Sequence, residues 1–577
     1  SGITAATLRE LTGNLTLENV DAGAVALTLS SDSNSSYSGV LIGSGSLTKA
    51  GNGKLTLLNS NPQTYAGYTT VNAGTLYAVE GSVFTNTSGL TVNGGSLDIS
   101  SYNSAAAFLN VSSTGVAKIR GASLTFSGSL VNNGQTSYSA NSGRITLGSL
   151  YGTGVTNFLS DAQISGASIS GGSVNVTGAL TASVSGGTVV AASLVGDTNT
   201  MSGGSLSISG AATINTVSAG SLNLGGASSI QNLNGGTLAI SNALTVYAGQ
   251  GGATIQGSGS LVKDGVGSLS LSLPNTYSGA TTVQAGTLTG VTGALASTSA
   301  IIVNGGTLDI VDYKPTATLD VASSGIAKIN GSGLTITGPV TNNGSVSYLA
   351  NTATITLANL TGTGATAFSN NAAISSNIAA GVITVGGSLN LDPSAAVTGG
   401  SVQVGGVASL STVSGGTLRF NGRTSSITTL NGGTLILGGA DVLTVSNGNS
   451  NDSISGVGKL VKSSAASLTL GTVMGSDVSL QVAAGSLISG NLLAGTRSVT
   501  VAGGATLALM LDAGTAVYTG TMGMSQGQIL LSSSGLDSVL QAGGASTTAL
   551  TLDGTFTLGE HVALDVSKPA DNIFGDN

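Results

Sequence analysis

From Gly267 to Leu308 apolar and small polar residues alternate one for one, as in Ser268-Leu269-Ser270-Leu271 and Thr307-Leu308-Asp309-Ile310. A period of two is the mark of a β-strand with one buried face. Each run is short and ends at Gly, Asn-Gly or Gly-Gly. Glycine and asparagine tolerate the positive φ of a sharp turn, so these are corners. The same order of runs and corners occurs earlier, from Gly53-Lys54-Leu55 through Thr64-Tyr65-Ala66-Gly67 and Val71-Asn72-Ala73-Gly74-Thr75-Leu76 to Val92–Ile99. A looser copy starts at Gly458-Lys459-Leu460. Only Thr4–Leu11, within residues 1–20, combines helix-forming residues with a lack of Gly. It predicts either a short helix capping the end of a long sheet or an irregular first strand.

Longer matches set the organisation. Gly43–Lys49 recurs as Gly257–Lys263 and again as Gly456–Lys462; Val111–Ile119 recurs as Val321–Ile329; Leu130–Gly134 recurs as Val340–Gly344; Val217–Leu222 recurs as Val413–Leu418. These offsets predict an N-terminal cap with first coils (1–40), two tandem copies (41–254 and 255–453), a partial third (454–564) and a tail (565–577). Inside the copies, a Gly-Gly-Ser/Thr-Leu/Val corner returns at Gly172, Gly187, Gly204, Gly220 and Gly236, and at Gly387, Gly400, Gly416 and Gly433. A step of about 16 residues is too short for a helical repeat. It fits one coil of an all-β solenoid, in which parallel strands stack about 4.8 Å apart and leucines pile into a narrow core. The expected fold is therefore an elongated parallel β-solenoid rod, with Leu97, Leu222, Leu238, Leu308, Leu418 and Leu435 pointing inward.

Composition agrees with folding and narrows the function. Only 7% of residues are charged, 40% are hydrophobic and 91 of 577 are Gly. That hydrophobic share with so little charge is not the signature of a disordered chain. Net charge is −8 and no basic cluster offers itself to phosphates, which argues against nucleic acid. No apolar run is long enough for a transmembrane helix. Cysteine is absent, which suits a secreted bacterial protein, and the start at Ser1 reads as a processed product.

The run G-x-G-x-L-(T/S)-L followed by N-T-Y-S-G-x-T-T-V-x-A-G-T-L resembles the passenger-associated transport repeat of autotransporter passengers. The close matches are Gly53–Leu76 and Gly267–Leu288, with a weaker one at Val482–Leu487. The resemblance implies a right-handed parallel β-helix exported to the bacterial cell surface. It also implies a C-terminal membrane barrel. Residues 545–577 carry no such pattern, so the expectation is either a barrel already cleaved or a repeat used without that route.

Candidate chemistry is sparse. His561 is the only histidine, which leaves no His-based triad or multi-His metal site. Asp98 and Asp309 hold equivalent positions, each followed four residues later by Tyr102 or Tyr313. The plain interpretation is a corner-stabilising Asp bonded to nearby backbone beside a surface Tyr. Lys49, Lys263 and Lys462 recur at one position, as do Lys118 and Lys328. They read either as gatekeeper charges that stop sheet faces from sticking or as a cationic row contacting sugar or a neighbouring subunit. The sequence therefore offers no catalytic, cofactor-binding or metal-binding set, and no cofactor. It favours an extracellular structural protein, a homo-polymer forming a surface filament or coat by end-to-end or lateral association. The end-to-end version rests on the tail at 565–577 adding a strand to a neighbour. The alternative is an adhesin for surface or host glycans; an enzyme is disfavoured.

Overall fold

Alternation becomes stacking throughout. In the computed structural model, the described residues are 2–565 apart from 59–62, 80–83, 85, 101–107, 123, 141–142, 167, 332, 350–352, 422, 452, 472–474, 476, 490–497, 512–513, 519–520, 534–537, 543–549 and 559–561. For 510–527 and 532–565 only the backbone is described. His561, Tyr102 and the tail from 566 onward lie outside the described residues. The backbone falls into two units, Ser1–Thr281 with Thr289–Ser297, and Thr282–Leu288 with Thr298–Asn577. Each is an all-β solenoid of parallel strands, and no helix occurs among the described residues.

In the first unit each strand pairs with the strand one coil away. Leu90–Val92 lies between Thr69–Val71 and Leu109–Val111, while Ser96–Ile99 lies between Thr75–Ala78 and Val116–Gly121. Two ladders thus run side by side, one on each side of the Asn-Gly-Gly corner. The coil tightens farther along: Ser205, Ser221 and Thr237 are register partners in sequence, 16 residues apart. In the second unit Ser401, Thr417 and Thr434 follow with steps of 16 and 17. The repeating corner glycines of the sequence therefore mark one coil each.

The core is a set of aliphatic columns. Leu206, Leu222 and Leu238 are consecutive partners, as are Val402, Leu418 and Leu435. All six leucines expected inside are at most 1% exposed. At about 25 cal/mol per Å² of apolar surface removed from water, each contributes roughly 1.5–3 kcal/mol.

One local alternative is decided and one expectation needs correction. Of the two readings of Thr4–Leu11, the first strand holds and the capping helix does not: Ala5–Leu8 form a strand paired with Ala26–Leu29. Isolated helices this short are marginal in water, whereas a strand gains a full ladder on its neighbour. The glycines also divide into two kinds. Gly220 has φ 96° and Gly236 has φ 94°, a backbone that L side chains rarely adopt. Gly95 and Gly306, in the Asn-Gly-Gly corners, do not have positive φ. There a Cβ would stand 2.6 Å from the Gly74 carbonyl oxygen and 2.7 Å from that of Gly286. Close approach of the coil below, rather than φ, excludes a side chain.

Candidate functional site

Of the recurring lysines, Lys49, Lys263 and Lys462 are buried, so neither surface interpretation holds for these three. Lys49 is 2% exposed, and Lys263 and Lys462 are 0% exposed. Each is the last residue of a strand whose alternation points it inward: Ser46–Lys49, Leu261–Lys263 and Lys459–Lys462. The corner that follows turns its carbonyls toward the ammonium. Lys263 Nζ donates to the carbonyl oxygens of Asp264 (2.6 Å) and Gly265 (2.8 Å). Lys462 donates to Ser464 O in its own corner and to Ala484 O at 3.2 Å in the next coil. Lys49 donates to Gly51 O and reaches Ala73 O at 3.5 Å, again one coil on. Burial lowers all three pKa values from the ordinary lysine value; Asp32 opposes this at Lys49 and Asp264 at Lys263. A buried cation that satisfies corner carbonyls is a clamp on coil geometry.

Further polar groups are buried beside these clamps. The Tyr65 hydroxyl lies 2.5 Å from Thr69 Oγ1, and the Tyr277 hydroxyl 2.6 Å from Thr281 Oγ1. Burial raises both phenol pKa values, partly offset by those bonds. Just before each Tyr-containing turn, one amide holds two coils. Leu41 N–H donates to Gln63 Oε1 at 2.7 Å, and Ile255 N–H to Asn275 Oδ1 at 2.7 Å. The motif residues Lys, Gln/Asn, Tyr and Thr thus form one internal polar scaffold. These two segments resemble passenger-associated transport repeats. The family's profile matches residues 47–78 and 261–289, a span that holds the Lys, Gln/Asn, Tyr and Thr just described. With its β-solenoid, the chain resembles the passenger β-helix of autotransporters. No curated protein and no solved structure matches it.

Outside the transport repeats a second amide device recurs. Asn132 Nδ2 donates to Val155 O (2.8 Å) and Thr156 Oγ1 (2.9 Å), while Gly134 N–H donates to its Oδ1. Asn342 makes the same three bonds to Ala365, Thr366 and Gly344. Tyr138 stacks on Phe158 at 5.3 Å, and Tyr348 on Phe368 at 5.1 Å.

Apart from Tyr313, the remaining described candidates sit on the outer faces. Asp98 and Asp309 are mid-strand, not at corners, and bond side chains of the next coil rather than turn backbone. Arg120 donates to Asp98 at 2.5 Å, and Asn330 Nδ2 to Asp309 at 2.7 Å. Lys118 and Lys328 are exposed and are the register partners of these two aspartates. Tyr313 is not at the surface: it is 5% exposed, and its burial raises its pKa. Among the described residues no group of three or more His, Cys, Asp or Glu could hold a metal ion.

Two outward columns were not visible in the linear pattern. Thr7, Thr28, Thr48, Thr70 and Thr91 are successive register partners. Ser173, Thr188, Ser205, Ser221, Thr237 and Thr254 form another hydroxyl ladder. The signal was present as a Thr every 20–22 residues in the first column and a Ser or Thr every 15–17 in the second, but it becomes readable only once register is known.

Proposed function

We propose that the chain is an exported, passenger-type β-solenoid that serves at the bacterial surface as a structural protein and self-associates through its uncharged hydroxyl faces. The observation that carries this reading is the transport-repeat scaffold built into the coils at 47–78 and 261–289. Passenger domains carrying this repeat are surface-exposed, which supports an extracellular location. The threonine column from Thr7 to Thr91 supports lateral contact, because a flat row of hydroxyls lacks the charges that keep sheet faces apart. An adhesin is the second reading, favoured by one charged outer face taken up below.

Export and assembly are tested separately. The chain is fused between a signal peptide and an autotransporter barrel in a Gram-negative host, and protease is added to intact cells. Cleavage at the surface supports export; a protected periplasmic chain overturns it. Purified chain is followed by sedimentation and negative-stain microscopy. Concentration-dependent assembly that Thr48→Lys with Thr70→Lys abolishes supports the face. A monomer at every concentration overturns self-association.

A further inference from the structure

One outward patch of the first unit departs from the rest of the surface. Lys54–Leu57, Thr75–Ala78, Ser96–Ile99 and Val116–Gly121 are four successive strands of one ladder. Their outward positions bring together Lys54, Tyr77, Asp98, Lys118 and Arg120. Lys54 Nζ sits 4.0 Å from the centre of the Tyr77 ring. Tyr77 is the register partner of Asp98, and Asp98 of Lys118. Arg120 holds Asp98 at 2.5 Å with 41% of its own side chain exposed. Three cations and one carboxylate thus occupy one face of a chain that has 15 Lys and Arg among 577 residues and a net charge of −8.

The second sequence copy supplies an internal control. It keeps Asp309 and Lys328 at the positions of Asp98 and Lys118, but has Ser268 for Lys54, Thr289 for Tyr77 and Asn330 for Arg120. The coil accepts either set, so packing does not require the basic and aromatic residues. Burying the core does not explain them either, because all three point outward.

We propose that this face binds an acidic saccharide, with Lys54, Lys118 and Arg120 donating to its carboxylates and the Tyr77 ring lying along a sugar ring. Three strand steps of about 4.8 Å separate the strand of Lys54 from that of Arg120, so the strands that carry the cations span about 14 Å across the ladder. That length suits an oligomer with repeated charges better than a single small anion. Arg120 has further N–H donors beyond the one given to Asp98, and a guanidinium fork matches a carboxylate. Amphipathic tyrosine gives contact area with a polar tip. The proposal goes beyond the structural role above and does not depend on assembly.

The test is calorimetric titration of the full chain with a uronate oligosaccharide, beside a neutral glucan oligosaccharide, a DNA oligonucleotide and anionic lipid vesicles. Binding of the uronate alone, weakening with added salt, is expected. The variant Lys54→Ser, Tyr77→Thr, Arg120→Asn carries residues found at these positions in the second copy, and its melting curve reports folding. It should lose at least about tenfold in affinity with its melt unchanged. Asp98→Asn removes the competing carboxylate and frees Arg120, so it should bind more tightly; a merely structural aspartate would not do this. Unchanged affinity in the triple variant, weaker binding by Asp98→Asn, or absent uronate binding overturns the proposal. So does equal binding of DNA or vesicles with the same variant dependence, which would mark a general polyanion surface.

Discussion

Replacing Lys263 by Met removes the ammonium while nearly preserving length and volume. Two effects oppose each other. The carbonyl oxygens of Asp264 and Gly265 lose their charged donor. Leaving a half-buried acceptor unpaired costs up to about 1–3 kcal/mol each. Against this, the desolvation of a cation at a site 0% exposed is relieved, a gain of several kcal/mol at most when no other partner exists. Because the acceptors stay in place and methionine cannot serve them, the losses should win, by about 2 kcal/mol. A long solenoid need not unfold in one step, so a local readout is preferable. Native-state hydrogen exchange at Asp264 and Gly265 reports opening of that corner. At about 1.4 kcal/mol per decade, exchange should accelerate about 30-fold or more. Lys118→Met, at an exposed position, should leave these amides unchanged. The pH dependence carries its own sign. Burial lowers the Lys263 pKa, so the unfolded chain binds more protons between the folded-state value and about 10.4. The wild-type corner should therefore gain stability as pH rises through that window, since a neutral amine still donates N–H. The methionine variant should show no such gain. Equal or slower exchange in Lys263→Met would refute the clamp.

Three further outcomes follow from the same geometry. Leu308→Asp, at a site 0% exposed, buries an unpaired carboxylate and should cost several kcal/mol in denaturant midpoint; near wild-type stability would contradict its inward placement. Asn342→Leu strips partners from Ala365 O and Gly344 N–H, for a loss of roughly 2–4 kcal/mol, read as a drop in local exchange protection around 342–366. Burial raises the pKa of Tyr65, Tyr277 and Tyr348, so their stabilising effect is complete below the unfolded value of about 10 and is lost as pH climbs toward the folded values. Stability should fall above pH about 10 by about 1.4 kcal/mol per pH unit for each such tyrosine. Ultraviolet titration should show them ionising only with unfolding, and free ionisation in the native state would oppose the assignment.

The sequence by itself determined the class of fold, because its two signals are local. Alternation in Thr307–Ile310 fixes which side chains face inward, and the Gly-Gly corner every 16 or so residues fixes where the chain turns. The transport-repeat motif was legible for the same reason, as a run of contiguous residues. What the tertiary structure decided depends on register between coils. Lys49, Lys263 and Lys462 looked like surface charges because lysine usually is one; only the ladder shows that the alternation aims them at corner carbonyls. Thr4–Leu11 had helix-forming residues, yet an adjacent strand offered more hydrogen bonds than a lone turn of helix. Gly95 proved necessary through a carbonyl 21 residues earlier, at Gly74, which no local rule reports. The threonine column and the Lys54–Tyr77–Asp98–Lys118–Arg120 face likewise gather residues about 20 apart in the chain. Their neighbours are set by stacking, and stacking is a property of the folded coil rather than of any segment within it.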